Sequence, residues 1–192
     1  MAVIAEQLSK VLGLPVRQLE PLLALAAEVK LPKGDFFTRP GERADRFAIV
    51  LEGLVRHYYV DARGKESVKA FRGPLEVSGP YAELISGRPS RTFIQALAPA
   101  RLLCLQWEVL QRAADASPEL SKMLRRFAEA QFVNKEQREY EFLQLTAEER
   151  YLQFCRERKE HLGHVPLHQI ASYIGITPVA LSRIRARLAR KR

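Results

Sequence analysis

The sequence predicts an α+β protein in three parts: an N-terminal antiparallel β-roll of jelly-roll type with helices ahead of it, one long helix, and a C-terminal helix-turn-helix. Three observations carry this. From Asp35 to Gln106, short runs of β-branched and aromatic residues alternate with Gly- and Pro-containing turns, the pattern of an antiparallel roll or sandwich. From Ser117 to Leu145, apolar residues step at helical intervals. From Leu167 to Arg190, two short helical patterns flank a glycine. A chain of 192 residues with 47% hydrophobic content can hold one domain or two small ones and bury a core.

Residues up to Lys30 read as helical, because Leu19, Leu22, Leu23 and Ala26 recur on one face, and the segment Leu31–Gly34 stops the pattern. Six strand-like runs follow, at 36–38, 46–53, 54–60, 66–71, 92–97 and 101–106. Turn residues at 40–42, 53, 61–65, 72–74 and 78–80 punctuate them.

Ser117 suits a helix N-cap and Pro118 the first helical position. Leu120, Leu124, Phe127, Gln131 and Asn134 then form a narrow stripe with a polar residue late in it. The helix would run for about 40 Å. Periodicity leaves two readings open: the stripe lies on the β unit, or it is a coiled-coil-like dimer seam in which Asn134 helps set register. A new unit starts at Thr146, which with Glu149 forms a capping box. Its helix is expected to bury Tyr151, Leu152 and Cys155 and to end at Gly163 and Pro166. The expected partition is therefore 1–116, 117–145 and 146–192.

The tail carries the strongest functional signal. Ile170, Ala171 and Ile174 form the inner face of a first short helix, Gly175 turns the chain, and Thr177 and Pro178 start a second helix. Leu181, Ile184 and Leu188 share its inner face, while Val179, Ser182, Arg183, Ala186 and Arg190 lie opposite. Pro178 to Arg192 holds six basic residues and no acidic one; with the net charge at +9, only +3 remains for the rest of the chain. Solvated helices normally mix signs. A small, uniformly basic face suits a helix entering the major groove of double-stranded DNA.

Other classes are disfavoured. Cys104 and Cys155 are far apart and form no CxxC pair, as expected for reduced structural thiols. No apolar run is long enough to span a membrane, the N-terminus lacks a basic n-region, and a cytoplasmic location is expected. His161, His164 and His168 are spaced across a Gly-Pro loop with no acid or Cys to complete a metal set. No nucleophile, base and orienting group assemble by motif, so an enzyme is not expected.

His168–Leu188 resembles the helix-turn-helix of the cyclic-AMP receptor protein/Fnr (Crp/Fnr) superfamily of bacterial transcription regulators, whose hallmark is an apolar-Ala-x-x-apolar-Gly turn followed by Ser-Arg, here Ser182-Arg183. Residues 40–66 resemble the early strands of that family's cyclic-nucleotide-binding-like roll, and the order of parts also agrees. The resemblance implies a homodimer joined along 117–145, hence a seam of Leu120, Leu124, Phe127, Gln131 and Asn134. It implies a DNA face of Thr177, Val179, Ser182, Arg183, Ala186 and Arg190. RNA polymerase and a small-molecule effector would be further partners. Two departures stand out. Val179 occupies the position where members often carry a base-reading Glu, and the sequence stops at Arg192, ahead of the β-hairpin wing of many members. They motivate an alternative reading, a small-molecule sensor module without sequence-specific DNA binding.

The same resemblance implies an effector pocket at 81–93. Glu83-Leu84 matches the Glu-Leu that contacts the nucleotide ribose, and Arg91-Thr92 matches the Arg and small residue at the phosphate. Ala82 replaces the usual Gly, Tyr81 is bulky, and Arg91 follows Glu83 by eight positions. A cyclic nucleotide is therefore disfavoured, the effector is left unidentified, and no cofactor is expected.

Overall fold

The structure is a computed structural model and describes residues 2–159 and 163–190. Two helices, α1 (Ala2–Leu12) and α2 (Val16–Ala24), precede six strands: β1 (Ala27–Leu31), β2 (Phe36–Thr38), β3 (Arg46–Glu52), β4 (Val55–Val60), β5 (Glu66–Arg72) and β6 (Val77–Ser78). A short α3 (Tyr81–Ser86), β7 (Phe93–Ala96) and β8 (Ala100–Gln106) complete the roll. Four helices follow: α4 (Trp107–Asp115), α5 (Pro118–Gln144), α6 (Ala147–Glu157) and α7 (Leu167–Ile174), and then α8 (Pro178–Arg190).

The strands form two four-stranded sheets, ordered β1-β8-β3-β6 and β2-β7-β4-β5, with every pairing antiparallel. Ala48, Val50, Val55, Ile94 and Leu102 fill the space between them. The next residues along β3 and β8, Phe47, Ile49, Leu103 and Leu105, point the other way, onto α1, α2 and α4. The first sheet is thus apolar on both faces, which is why Leu102–Leu105 reads as an unbroken hydrophobic run instead of an alternating one.

The helical reading of the N-terminus fails at its end. Residues 27–31 are a strand against β8. The helical part is itself split at Gly13, which adopts φ 65°. Helix α4 and strand β6 are not among the elements expected from the sequence, although α4 is amphipathic and buries Leu110 and Ala114 on one face. In α6 the inward residue is Phe154, 2% exposed, while Leu152 lies on the surface and Tyr151 and Cys155 are half-buried.

Both sequence caps form: Ser117 Oγ accepts from Leu120 N–H, and Thr146 and Glu149 exchange bonds as a capping box. The start of α6 does not, however, separate two cores. Leu54, Tyr58, Val68 and Phe71 of the roll share one cluster with Phe154, Ile170, Ala171, Ile174 and Leu181 of the C-terminal unit. Phe71, Phe154 and Tyr173 meet as a triangle of rings with centroids 5.3–6.0 Å apart. Helix α7 lies along β5, the outer strand of the second sheet. A single hydroxyl, Ser172 Oγ, accepts from Val68 N–H at 2.9 Å and donates to Glu66 C=O at 3.1 Å, filling positions that a neighbouring strand would fill. Arg158 Nη1 donates to Glu76 across the same boundary at 2.9 Å.

Two arginines close the same, C-terminal end of α7. Arg138 of α5 donates to Tyr173 C=O at 2.7 Å, and Arg150 of α6 donates to Ile174 C=O at 3.0 Å. Both guanidiniums also lie over the Phe142 ring, and cations here suit the negative end of the helix dipole. Gly175 turns the chain with φ 76°, and a Cβ there would sit 2.5 Å from Phe142 Cε1, so the turn needs glycine for both conformation and space.

Ser172→Ala is expected to cost about 1 kcal/mol and to loosen the seat locally. Amide exchange at Val68 should accelerate while Ile94, in the roll core, keeps its rate. Equal protection of Val68 in both proteins would show that the hydroxyl is not what seats α7.

Candidate nucleic-acid interface and ligand pocket

Helix α8 starts where its sequence says it should, with Thr177 Oγ1 accepting from Ala180 N–H at 3.2 Å and Pro178 in the first turn. Leu181 and Ile184 are buried against the C-terminal core. Val179, Ser182, Arg183, Ala186 and Arg190 are all exposed and lie together, as does Thr177 at the helix start. Among the described residues no carboxylate pairs with Arg183, Arg185 or Arg190, while Arg187 pairs with Glu148 of α6. The outer face is therefore small at its start, basic along its length and free of acidic groups. Lys191 and Arg192 lie outside the described residues.

Seating α7 on the roll does not cover this face. The contacts with β5 come from the opposite side of the helix pair, so α8 is held at its back and open at its front.

The stripe on α5 is placed differently from the expected seam. Leu120 is buried in the core beneath α4, and Leu124 packs against that core. Phe127 meets Tyr81 edge-on at 5.2 Å, and Gln131 borders a cavity. These four residues face their own roll, the first of the two arrangements that periodicity allowed; Asn134 is exposed. The opposite face carries Phe132, Val133, Tyr140 and Leu143, which are 55–71% exposed.

The four residues expected at the effector pocket come together in part. Glu83 is 1% exposed on α3, and Arg91 Nε donates to its Oε1 at 2.8 Å. The Arg91 side chain is 70% exposed, so it covers the carboxylate from outside and does not point inward. Glu83 Oε2 and Thr92 Oγ1 are buried without a hydrogen-bond partner among the described residues. Leu84 alone of the four faces the cavity described next. Arg91 uses only its Nε in this pair, and a cyclic phosphate seated beside the buried carboxylate would need the exposed Arg91 side chain turned inward to reach it.

The cavity, about 150 Å³, lies where α1, α2 and α4 meet α3, α5 and the β5 end of the roll. Its walls are leucines and an aromatic group that sequence reading did not single out. Trp107 meets Phe47 at 6.2 Å and Tyr81 at 5.9 Å, both edge-on, and Tyr81 meets Phe127. Tyr81, read in the sequence only as an obstacle to a nucleotide, is the hinge of this cluster. The rings come from β3, α3, α4 and α5, so no local spacing could have joined them. The polar border is His57, Lys69, Arg72 and Gln131. His57 is buried and bonded to Ser78 Oγ at 2.8 Å. Burial pushes its pKa well below the usual histidine value, with Arg72 and Lys69 adding repulsion, so the ring is neutral near pH 7.

His161 lies outside the described residues. Among the described residues no three His, Cys, Asp or Glu side chains gather as a metal site, and no helix is long and apolar enough to cross a membrane.

Comparison with known proteins adds the following. Residues 28–117 match the family model of the cyclic nucleotide-binding domain. No curated protein sequence matches the chain. The structure of FixK2 from Bradyrhizobium japonicum is 23% identical, covers 86% of this chain and 85% of its own, and superposes with a TM-score of 0.77. The c-di-GMP responsive global regulator CLP of Xanthomonas campestris is 16% identical over 92% of this chain and 93% of its own, with a TM-score of 0.75. The catabolite activator protein of Thermus thermophilus is 22% identical over 93% and 85%, with a TM-score of 0.54. At such identities the likeness is one of fold, and it runs through the roll, the long helix and the C-terminal helices. Residues 28–117 are thus similar to the cyclic nucleotide-binding domain, and the chain shares its overall fold with FixK2, CLP and the Thermus thermophilus catabolite activator protein.

Proposed function

We propose that the protein is a homodimeric, sequence-specific DNA-binding transcription regulator whose roll takes a small effector. The observation that carries this reading is the outer face of α8: exposed, basic, free of acidic side chains, and presented away from the body by a helix-turn-helix seated from behind. Arg183, in the middle of that face, would reach base edges, and Val179 would offer an apolar contact to a thymine methyl. Thr177 and Ser182 would add hydroxyl contacts, Ala186 would allow close approach, and Arg190 would meet phosphate. RNA polymerase would be met through surfaces left free on the DNA-bound dimer, in the cytoplasm.

Gel-shift titration against genomic fragments tests the reading directly: a competitor-resistant band is expected, and its absence would favour a sensor module that does not read DNA. On a selected site, Arg183→Ala should lose about 1–3 kcal/mol and relax preference at one base position. Preference left intact would put another face of α8 in the groove.

Dimerisation would use the side of α5 that its own roll leaves bare. Phe132, Val133, Tyr140 and Leu143 are too many exposed large side chains on one helix face to be an ordinary solvent surface. A second copy of α5 covers them with like chemistry, and two-fold pairing brings both recognition helices to one side of the DNA. Leu143→Glu would bury unpaired charge at that seam, at a cost of roughly 3–5 kcal/mol. Sedimentation should then show monomers at concentrations where the unaltered protein is a dimer. A dimer that survives both Leu143→Glu and Phe132→Glu would place the interface elsewhere.

The ordinary cyclic-nucleotide switch is not the expected control. With Glu83 and Arg91 engaged with each other, calorimetric titration with cyclic AMP or cyclic GMP should show no binding tighter than about 100 μM. A low-micromolar isotherm abolished by Arg91→Ala would overturn this.

A further inference from the structure

The effector half of the proposed function names no ligand, and the Glu83–Arg91 site is closed by its own ion pair. The cavity beside it is a different space with a different chemistry. Its volume of about 150 Å³ equals that of engineered apolar cavities that stay dry and accept a benzene molecule. Its aromatic members, Phe47, Tyr81, Trp107 and Phe127, meet edge-on, an arrangement that leaves ring faces and edges for one more ring. Aromatic walls can also hold organic cations, but the border here opposes that. Lys69 and Arg72 line the cavity, and among the described residues no acidic one does. Glu76, the only carboxylate paired with Arg72, also receives Arg158, so one carboxylate stands between two guanidiniums and a positive charge is left over.

We propose that this cavity binds a single-ring aromatic carboxylate, with the ring among Phe47, Tyr81, Trp107 and Phe127 and the carboxylate toward Lys69 and Arg72. The site deepens the effector half of the proposed function and places it apart from Glu83, Arg91 and Thr92. Ring burial supplies most of the attraction, and the cationic border selects the sign of the substituent. His57, neutral and already bonded to Ser78, adds no charge. Because α5 walls the cavity with Phe127 and Leu124 while its far side carries the bare apolar face, a ring placed here presses on the helix that would join the two protomers.

Trp107 is the chain's one tryptophan and lines the cavity, so its fluorescence reports on this site alone. The full chain is titrated with benzoate, with neutral benzamide and with benzylammonium. Benzoate should quench Trp107 saturably, benzamide more weakly, and benzylammonium not at all. Lys69→Met should weaken benzoate roughly tenfold and leave benzamide unchanged. Ala70→Leu, which fills the cavity, should abolish both, and Ala26→Leu does the same task if Ala70→Leu fails to fold. The proposal is overturned if neither ring compound quenches saturably, if quenching survives the filled cavity, or if benzylammonium binds as well as benzoate. DNA binding is followed on the same sample by anisotropy without ligand. A protein that binds DNA but not benzoate loses this proposal alone, and one that binds benzoate but ignores DNA keeps the cavity and loses the regulator reading.

Discussion

The seat of α7 on the outer edge of β5 organises the molecule. An edge strand exposes backbone donors and acceptors that must be satisfied or guarded, and here one serine hydroxyl answers both a Val68 N–H and a Glu66 carbonyl. Around it the Phe71, Phe154 and Tyr173 rings exclude water, which makes those hydrogen bonds count for more than they would on an open surface. Arg138 and Arg150 hold the same C-terminal turn of α7 from α5 and α6. Where α8 points follows from this seat, because α7 and α8 are packed together through Ile170, Ala171 and Leu181.

Helix α5 has two apolar sides. One is used internally, with Leu120, Leu124 and Phe127 completing the core and the cavity wall. The other, around Phe132 and Leu143, is bare. A change in the cavity therefore acts on the inner side of the same rigid rod whose outer side is available to a second copy, and whose C-terminal half touches the helix-turn-helix through Phe142 and Arg138. That chain of packed contacts is continuous in space; a two-state element along it is what allosteric coupling would additionally require.

The Glu83–Arg91 pair and the aromatic cavity lie on different sides of α3. Tyr81 opens α3, just ahead of Ala82 and Glu83. Its ring turns away from the loop and joins Trp107 and Phe127, so that α3 is tied to α4 and α5 by aromatic contacts. The Glu83 carboxylate is met from the surface by Arg91.

Much of this was legible in the sequence because it depends on neighbours along the chain. Caps at Ser117, Thr146 and Thr177, the left-handed turn at Gly175, and the split of α8 into an apolar and a basic face are all decided within one or two helical turns, where spacing alone fixes what shares a face. Strand runs punctuated by glycine and proline were equally plain. Packing across long separations was not legible. Ala27–Leu31 became a strand because β8 offered a partner, not because its residues demand one. Phe154 replaced Leu152 as the inward residue of α6 because Phe71 and Tyr173 wait on that side. The stripe on α5 could have faced a second copy or its own roll, since periodicity defines a face and not what covers it. Tertiary structure chose the roll, gathered four distant rings into a cavity, and left the opposite face of the helix bare, because burial is settled by the whole chain competing for the same apolar surface.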